Sequence, residues 1–165
     1  MKIKNNVLIS LGLAVLVSYF VIKKMRNNSG TYKIPPMIGM DGERFDSNSI
    51  NDQVLIISYF QTWCSDCVKE QPQLQQLKDK FGEDRFQIIM VSDEPVELIK
   101  KFKNQFNSKL DFYHSEKALK KDLGVHAYPT TYLIGKDGKV SIKKVEGINW
   151  YTEEIIQTIE TLLKD

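Results

Sequence analysis

Two cysteines separated by two residues are the only thiols in this 165-residue chain. Cys64 and Cys67 follow the run 54–60, which has the β-branched and aromatic composition of a buried strand. Apolar residues then recur at helical spacing, which predicts that Cys64 lies at a helix N-terminus. Unpaired backbone N–H groups and the helix dipole favour an anion there. The thiolate is the form of cysteine that attacks disulfides, so the pattern predicts thiol–disulfide exchange.

The spacing of the two cysteines also predicts a separate role for each of them. Residues three apart lie on the same face of a helix. If Cys64 attacks a substrate disulfide, Cys67 can resolve the mixed disulfide that forms. A cysteine pair used in this way is its own redox centre, so we expect no metal and no organic cofactor.

Length, charge and composition fit one domain behind an N-terminal segment. About 130 residues remain after that segment, which is enough for a single core. The formal net charge is +2, and lysines and glutamates are mixed along the predicted helices. A chain with such balanced charge lacks the excess of basic residues that is typical of nucleic-acid binding, and we expect no nucleic-acid partner.

The N-terminal segment has the pattern of a membrane anchor. Residues 7–22 are apolar and uncharged, with Lys2 and Lys4 before them and further cations after them. As a helix this run is about 24 Å long, slightly short of the ~30 Å hydrocarbon core, and flanking lysines can snorkel. Its end lacks the small residues of a cleavage site, which favours a signal anchor over residues 1–28 rather than a cleaved signal peptide. The start of the chain is similar to an export signal, so we expect the domain to lie outside the cytoplasm.

The rest of the chain alternates strands and helices. We predict a linker over residues 29–36 and a domain over residues 37–165. Strands are predicted over residues 54–60, 86–92, 110–113, 130–134 and 140–145. Helices are predicted over residues 64–81, 95–106, 116–123 and 151–163, the third of them capped by Ser115. This order predicts an α/β fold with a mixed central sheet flanked by helices.

The sequence resembles the thioredoxin superfamily, and most of all the membrane-anchored TlpA/ResA-type thiol-disulfide oxidoreductases of bacteria. The resemblance covers roughly residues 32–165 and implies a thioredoxin fold. It is carried by Trp63 before the Cys-x-x-Cys, by Glu70 and Pro72 after it, by the segment Tyr128-Pro129-Thr130-Thr131, and by Gly147 after the last predicted hairpin.

The resemblance implies roles for the residues of the cysteine helix. Cys64 is the expected exposed nucleophile and Cys67 the buried resolving thiol. Cytosolic thioredoxins carry a buried aspartate where this chain has Ser58, which leaves Glu70 as the expected acid/base. Asp66, between the cysteines, should oppose thiolate formation, and that effect points towards a reductant.

The resemblance also implies a substrate groove beside the disulfide. Pro129 is expected in the cis form, which frees the backbone at Tyr128 to bind a substrate chain in extended conformation. Trp63 is expected to shield the disulfide and to shape the rim of the groove.

The family further implies partners and a location. The expected substrates are exported proteins that contain cysteine, including apocytochrome c, and a membrane electron donor is expected to re-reduce the enzyme. The catalytic domain is expected on the extracytoplasmic (periplasmic) side of the cell membrane, held by the N-terminal helix.

Several alternatives remain open on the sequence alone. The domain could be a non-catalytic binding module or chaperone with the same fold, or a disulfide-donating oxidase. A peroxide-reducing redoxin usually has Thr three residues before a single reactive cysteine, and this chain has Gln61 there. A structural zinc site needs two more ligands, and His114 and His126 are not spaced for one.

Overall fold

The computed structural model of the protein describes residues 31–164. The strands are β1 (Met37–Gly39), β2 (Val54–Tyr59), β3 (Phe86–Ser92), β4 (Asp111–Ser115), β5 (Thr130–Ile134) and β6 (Val140–Val145). The helices are α1 (Ser65–Phe81), α2 (Val96–Gln105), the single-turn α3 (Leu119–Asp122) and α4 (Glu153–Lys164), and a 3-10 helix covers Ser47–Ile50. The predicted bounds of β3, β5 and β6 are confirmed, and the other bounds shift by a few residues.

One mixed sheet joins the strands in the order β1-β4-β3-β2-β5-β6. β3 pairs in parallel with β2 and with β4, and the remaining pairs are antiparallel. The central strand β2 is buried along its whole length, as its continuous apolar sequence predicts. The predicted α/β mixed sheet is therefore confirmed, and β2 leads directly into the cysteine motif.

Alternate residues of β2 enter two separate apolar clusters, one on each face of the sheet. Val54 and Ile56 belong to the cluster covered by α1, α2 and α4. Leu55 and Ile57 belong to the cluster covered by residues 32–34, the 3-10 helix and α3. The three longer helices thus cover one face, whereas extended chain and short helical turns cover the other.

The folded domain begins earlier than the predicted boundary at residue 37. Its compact unit starts at Tyr32, whose hydroxyl lies 2.6 Å from that of Tyr59 on β2. The Tyr32 N–H donates to the carbonyl oxygen of Gly138 at 2.8 Å. Residues 32–36 of the predicted linker therefore belong to the compact unit of the domain, because the Tyr32 side chain packs on the sheet.

The third predicted helix is much shorter than expected, and its predicted cap is wrong. α3 is a single turn with Ala118 at its N-cap. Ser115 is instead the last residue of β4, where it pairs with Met37 of β1. Its hydroxyl accepts from the N–H of Lys117 at 3.2 Å. Ser115 therefore takes part in strand pairing and in a local turn, and not in the helix cap that the sequence pattern predicted.

The predicted anchor at residues 7–22 lies outside the described residues and stays a prediction. Within residues 31–164, none of the helices combines the length and the apolar character that crossing a bilayer requires.

Candidate active site

The cysteine pair forms a disulfide at the start of α1. Cys64 is the N-cap residue, with extended backbone angles, and Cys67 lies in the first turn. Their Cα atoms are 5.3 Å apart, and the N–H of Cys67 donates to Cys64 Sγ at 3.1 Å. The predicted helix N-terminus is confirmed. A backbone N–H directed at the sulfur is an interaction that would stabilise a Cys64 thiolate.

The two sulfur-bearing side chains are both buried, Cys64 slightly less than Cys67. Cys64 is 6% exposed and Cys67 is 1% exposed, and both belong to the apolar cluster beneath α1. The order of exposure agrees with an attacking Cys64 and a resolving Cys67. The expectation of an exposed Cys64 is nevertheless too strong for the disulfide form, because this side chain packs at the edge of the core.

A pair of carboxylates holds the loop that precedes the cysteines. Glu94 Oε2 accepts from the N–H of Thr62 at 2.6 Å, and Glu94 Oε1 accepts from the Thr62 hydroxyl at 2.9 Å. The hydroxyl of Ser92 lies 3.3 Å from Glu94 Oε2. The amide of Gln61 donates to Asp93 Oδ1 at 2.7 Å. These bonds tie the end of β2 to the end of its neighbour β3, and so fix the approach to Cys64.

The sequence analysis did not predict these hydrogen bonds between the ends of β2 and β3, although the sequence contains a signal for them. Asp93 and Glu94 directly follow β3, and Gln61 and Thr62 follow β2 after one intervening residue. Because β2 and β3 pair in parallel, their carboxyl ends meet at one edge of the sheet. Two polar pairs at matching strand ends could therefore have been expected to bond to each other.

The rim of the site contains an aromatic pair and a cis peptide bond. The bond between Tyr128 and Pro129 is cis, as predicted. Trp63 is 72% exposed and meets Tyr128 edge to face, with ring centroids 5.9 Å apart. The carbonyl oxygen of Pro129 accepts from the N–H of Glu146 at 2.8 Å. The three predicted substrate-binding residues thus lie together, with Trp63 open to solvent.

Glu70 is buried between α1 and the sheet and is bonded to a chain of hydroxyls. It is 1% exposed, and its Oε1 accepts from the hydroxyl of Thr131 at 2.7 Å. Thr131 Oγ1 lies 2.8 Å from the Oγ of Ser58, its direct partner in the β2–β5 register. Since Thr131 is two residues beyond Pro129, this chain connects the cysteine helix with the strand that carries the cis peptide bond.

Burial gives Glu70 the titration behaviour of an acid/base near neutral pH. Loss of solvation raises the pKa of its carboxyl from 4.5 to about 7, against the lowering effect of Thr131 and of the Trp150 indole. Within the described residues, Glu70 Oε2 and Trp150 Nε1 are both buried without a partner at hydrogen-bonding geometry. A carboxyl with a pKa near 7 can both accept and give a proton at that pH.

Gly147 allows a close approach to the segment between the cysteines. A Cβ atom at this position would lie 2.9 Å from the Cβ of Asp66, so any larger residue would displace that side chain. Asp66 also accepts from Lys69 Nζ at 2.8 Å. The segment that follows the last hairpin therefore packs directly on Asp66, between the cysteines, which explains the glycine at residue 147.

The residues considered for zinc are not assembled around the cysteines. The Nδ1 of His114 lies 2.9 Å from the carbonyl oxygen of Glu94, and His126 is exposed. In the part of the chain that the structure describes, no group of three or more His, Cys, Asp or Glu side chains could hold a metal ion.

Comparison with known proteins places the chain among thiol-disulfide enzymes. A model for the AhpC/TSA family matches residues 31–143. The thiol-disulfide oxidoreductase ResA of Bacillus thuringiensis subsp. konkukian (strain 97-27) is 29% identical over 127 residues, which cover 76% of this chain and 70% of that protein. ResA of Geobacillus thermodenitrificans (strain NG80-2) is 24% identical over 157 residues, 94% of this chain and 89% of that protein.

Solved structures share the fold at lower sequence identity. A thiol-disulfide isomerase from Corynebacterium glutamicum superposes with a TM-score of 0.70 at 17% identity, over 84% of this chain and 99% of that one. A thiol:disulfide interchange protein of the thioredoxin family from Chlorobium tepidum TLS superposes with a TM-score of 0.65 at 21% identity, over 78% and 94% of the two chains. At these identities the superpositions show a common thioredoxin-like fold.

Proposed function

The chain belongs to the AhpC/TSA family and is a disulfide oxidoreductase with a Cys64–Cys67 redox pair, and we propose that it reduces disulfide bonds in exported proteins that contain cysteine. One observation carries the proposal. The disulfide caps a helix that also bears Glu70, a buried carboxyl one turn beyond Cys67 with a pKa near neutrality.

The reaction begins from the dithiol form. The Cys64 thiolate attacks a substrate disulfide, forms a mixed disulfide and releases one substrate thiolate, which takes a proton from solvent. Cys67 then gives its proton to the Glu70 carboxylate and attacks Cys64 Sγ. The Cys64–Cys67 disulfide forms, the second substrate thiolate leaves and takes up a proton, and two electrons have passed to the substrate. An external dithiol donor must then reduce the protein again.

Two features support reduction as the direction of transfer. Asp66 places a negative charge beside the sulfurs, and its exposed ion pair with Lys69 compensates this charge only weakly. Cys64 is also largely removed from solvent in the disulfide form, and burial disfavours a thiolate. A reduced form that is weakly stabilised gives a low potential, and hence a protein that donates electrons.

The proposed setting is the outer face of the cell membrane. The apolar run 7–22 and its flanking cations support a tether, with a membrane dithiol donor as the electron source. The ResA relatives are named as thiol-disulfide oxidoreductases. We include apocytochrome c among the substrates, since its haem attachment site is itself a Cys-x-x-Cys-His segment that must be reduced.

Trapping of the mixed disulfide tests the proposal. In the Cys67→Ser variant the resolving thiol is absent, so substrates should remain attached to Cys64 and appear in cells as adducts that a reducing agent releases. A variant with both cysteines changed to serine is the matched control. Absence of adducts, together with failure of the folded wild-type protein to reduce insulin disulfides, would contradict reduction and favour a passive binding module.

A further inference from the structure

The two oxygens of the Glu70 carboxyl have different surroundings. Oε1 lies 2.7 Å from the Thr131 hydroxyl, and that hydroxyl lies 2.8 Å from Ser58 Oγ. Oε2 is buried and has no hydrogen-bond partner among the described residues. Ser58, Thr131 and Glu70 are each at most 1% exposed, so bulk water does not replace either neighbour. A carboxyl in this position is anchored through one oxygen only.

We propose that Thr131 is a positioning residue, backed by Ser58, which holds Oε1 of Glu70 and leaves Oε2 to exchange the proton of the cysteine pair. The catalytic consequence rests on the proposed function, because it assigns Glu70 as the proton acceptor for Cys67. The structural part rests on the distances alone.

The hydroxyl chain suits both protonation states of Glu70. When the carboxylate is charged, the Thr131 hydroxyl donates to Oε1, and the Ser58 hydroxyl can donate to Thr131 Oγ1. When Oε2 carries the proton, Oε1 is a carbonyl oxygen that still accepts from the Thr131 hydroxyl, and the Ser58 hydroxyl can still donate to Thr131 Oγ1. Both short contacts are kept in either protonation state, so the carboxyl changes charge without losing its anchor.

The indole of Trp150, which precedes α4, also lowers the pKa of this carboxyl, although its N–H is not at hydrogen-bonding geometry. Cys67 is the titratable group one turn earlier on α1. Neighbouring charges are not among the causes of the shifted Glu70 pKa, which are burial, the Thr131 hydroxyl and the Trp150 indole. Removal of the Thr131 hydroxyl therefore removes one of two groups that favour the charged form.

Titration of Glu70 itself tests this role without any substrate. The full chain, oxidised and purified in detergent, is labelled with carbon-13 at the glutamate carboxyls, and the Glu70 signal is assigned by its loss in Glu70→Gln. In Thr131→Val, which keeps the shape of the side chain, the Glu70 midpoint should rise by about one pH unit, because the charged form loses a charge-assisted hydrogen bond. Thr131→Ser should return it to within about 0.3 of a unit of the wild-type value.

Thr130→Val is the matched control for this titration. It removes a hydroxyl from the same strand, but that hydroxyl donates to the carbonyl oxygen of Ala127 at 2.7 Å. The Glu70 midpoint should therefore stay in place. A midpoint that is unmoved in folded Thr131→Val, or moved equally by Thr130→Val, would overturn the positioning role.

A second variant decides the matter if Thr131→Val does not fold. Ser58→Ala removes the outer hydroxyl and should raise the Glu70 midpoint in the same direction by a smaller amount, and no rise would overturn the proposal. The result is independent of the proposed function, since a shifted midpoint in a protein that reduces no substrate would refute only the reaction. Conversely, disulfide reduction with an unshifted midpoint would refute only the role of Thr131.

Discussion

Two glutamates next to the cysteine motif have different surroundings, which give one of them a structural role and the other a chemical role. Both oxygens of Glu94 receive hydrogen bonds, from the backbone and the hydroxyl of Thr62. Glu70 receives one hydrogen bond, from Thr131, and its second oxygen is buried without a partner. A fully bonded carboxylate stabilises the loop that it holds, whereas a buried and half-bonded one is easily protonated.

The two sites also differ in how their residues come together. Glu94 follows β3 and accepts hydrogen bonds from Thr62, which follows the neighbouring strand β2. It therefore sets the position of the loop before Cys64. Glu70 lies on the same helix as Cys67 and reaches across to β5. We infer that Glu94 maintains the geometry of the site, and that Glu70 carries its proton chemistry.

The largest expected effect is on the pH dependence of stability. The pKa of Glu70 is about 7 in the folded protein and about 4.5 in the unfolded chain. Between these values the unfolded state holds fewer protons, so the free energy of unfolding falls as the pH rises. The fall amounts to about 3 kcal/mol by pH 8, and is already complete somewhat above pH 7. Denaturant unfolding at pH 4.5 and pH 8 should show this loss in wild type and lack it in Glu70→Gln.

Glu94→Gln is the matched control for that experiment. In this variant the free energy of unfolding should still fall with rising pH, because Glu70 is unchanged. At pH 8 it should lie below that of wild type by roughly 1–2 kcal/mol, since an amide cannot accept both hydrogen bonds from Thr62. An equal fall with pH in wild type and Glu70→Gln would remove the distinction between the two glutamates.

The next effect concerns the rate of disulfide reduction. Glu70→Gln should slow insulin reduction at pH 7 by about 10²-fold, the lower end of the range for a positioned general base. Glu94→Gln should slow it by less than about fivefold at a temperature where both variants are folded, because it changes only the support of the loop. A stopped assay of free thiols measures both rates, and a greater loss in Glu94→Gln would reverse the assigned roles.

Local signals predicted much of the fold and the redox centre. The strands β3, β5 and β6 have the same bounds in the prediction and in the structure. Cys64 begins α1 as the helical spacing predicted, and the peptide bond before Pro129 is cis. Each of these features depends on a short stretch of chain or on a motif that the family resemblance identified.

Features that depend on distant partners were missed. The bonds from Gln61 and Thr62 to the residues after β3 exist only because two parallel strands end side by side. The predicted cap at Ser115 failed because pairing with β1 extends β4 to that residue. Glu70 was identified as a site residue, but its attachment to Thr131 depends on the register between β2 and β5. None of these contacts is visible in local composition.

The reduction potential of the Cys64–Cys67 pair tests the account most directly. The full chain is equilibrated in thiol–disulfide buffers at pH 7, and its free thiols are counted by mass tagging. We predict a potential near or below about −270 mV, the value of thioredoxin, because Asp66 and burial disfavour the thiolate. A value near about −120 mV, that of a strong disulfide donor, would contradict the assignment of this protein as a reductant.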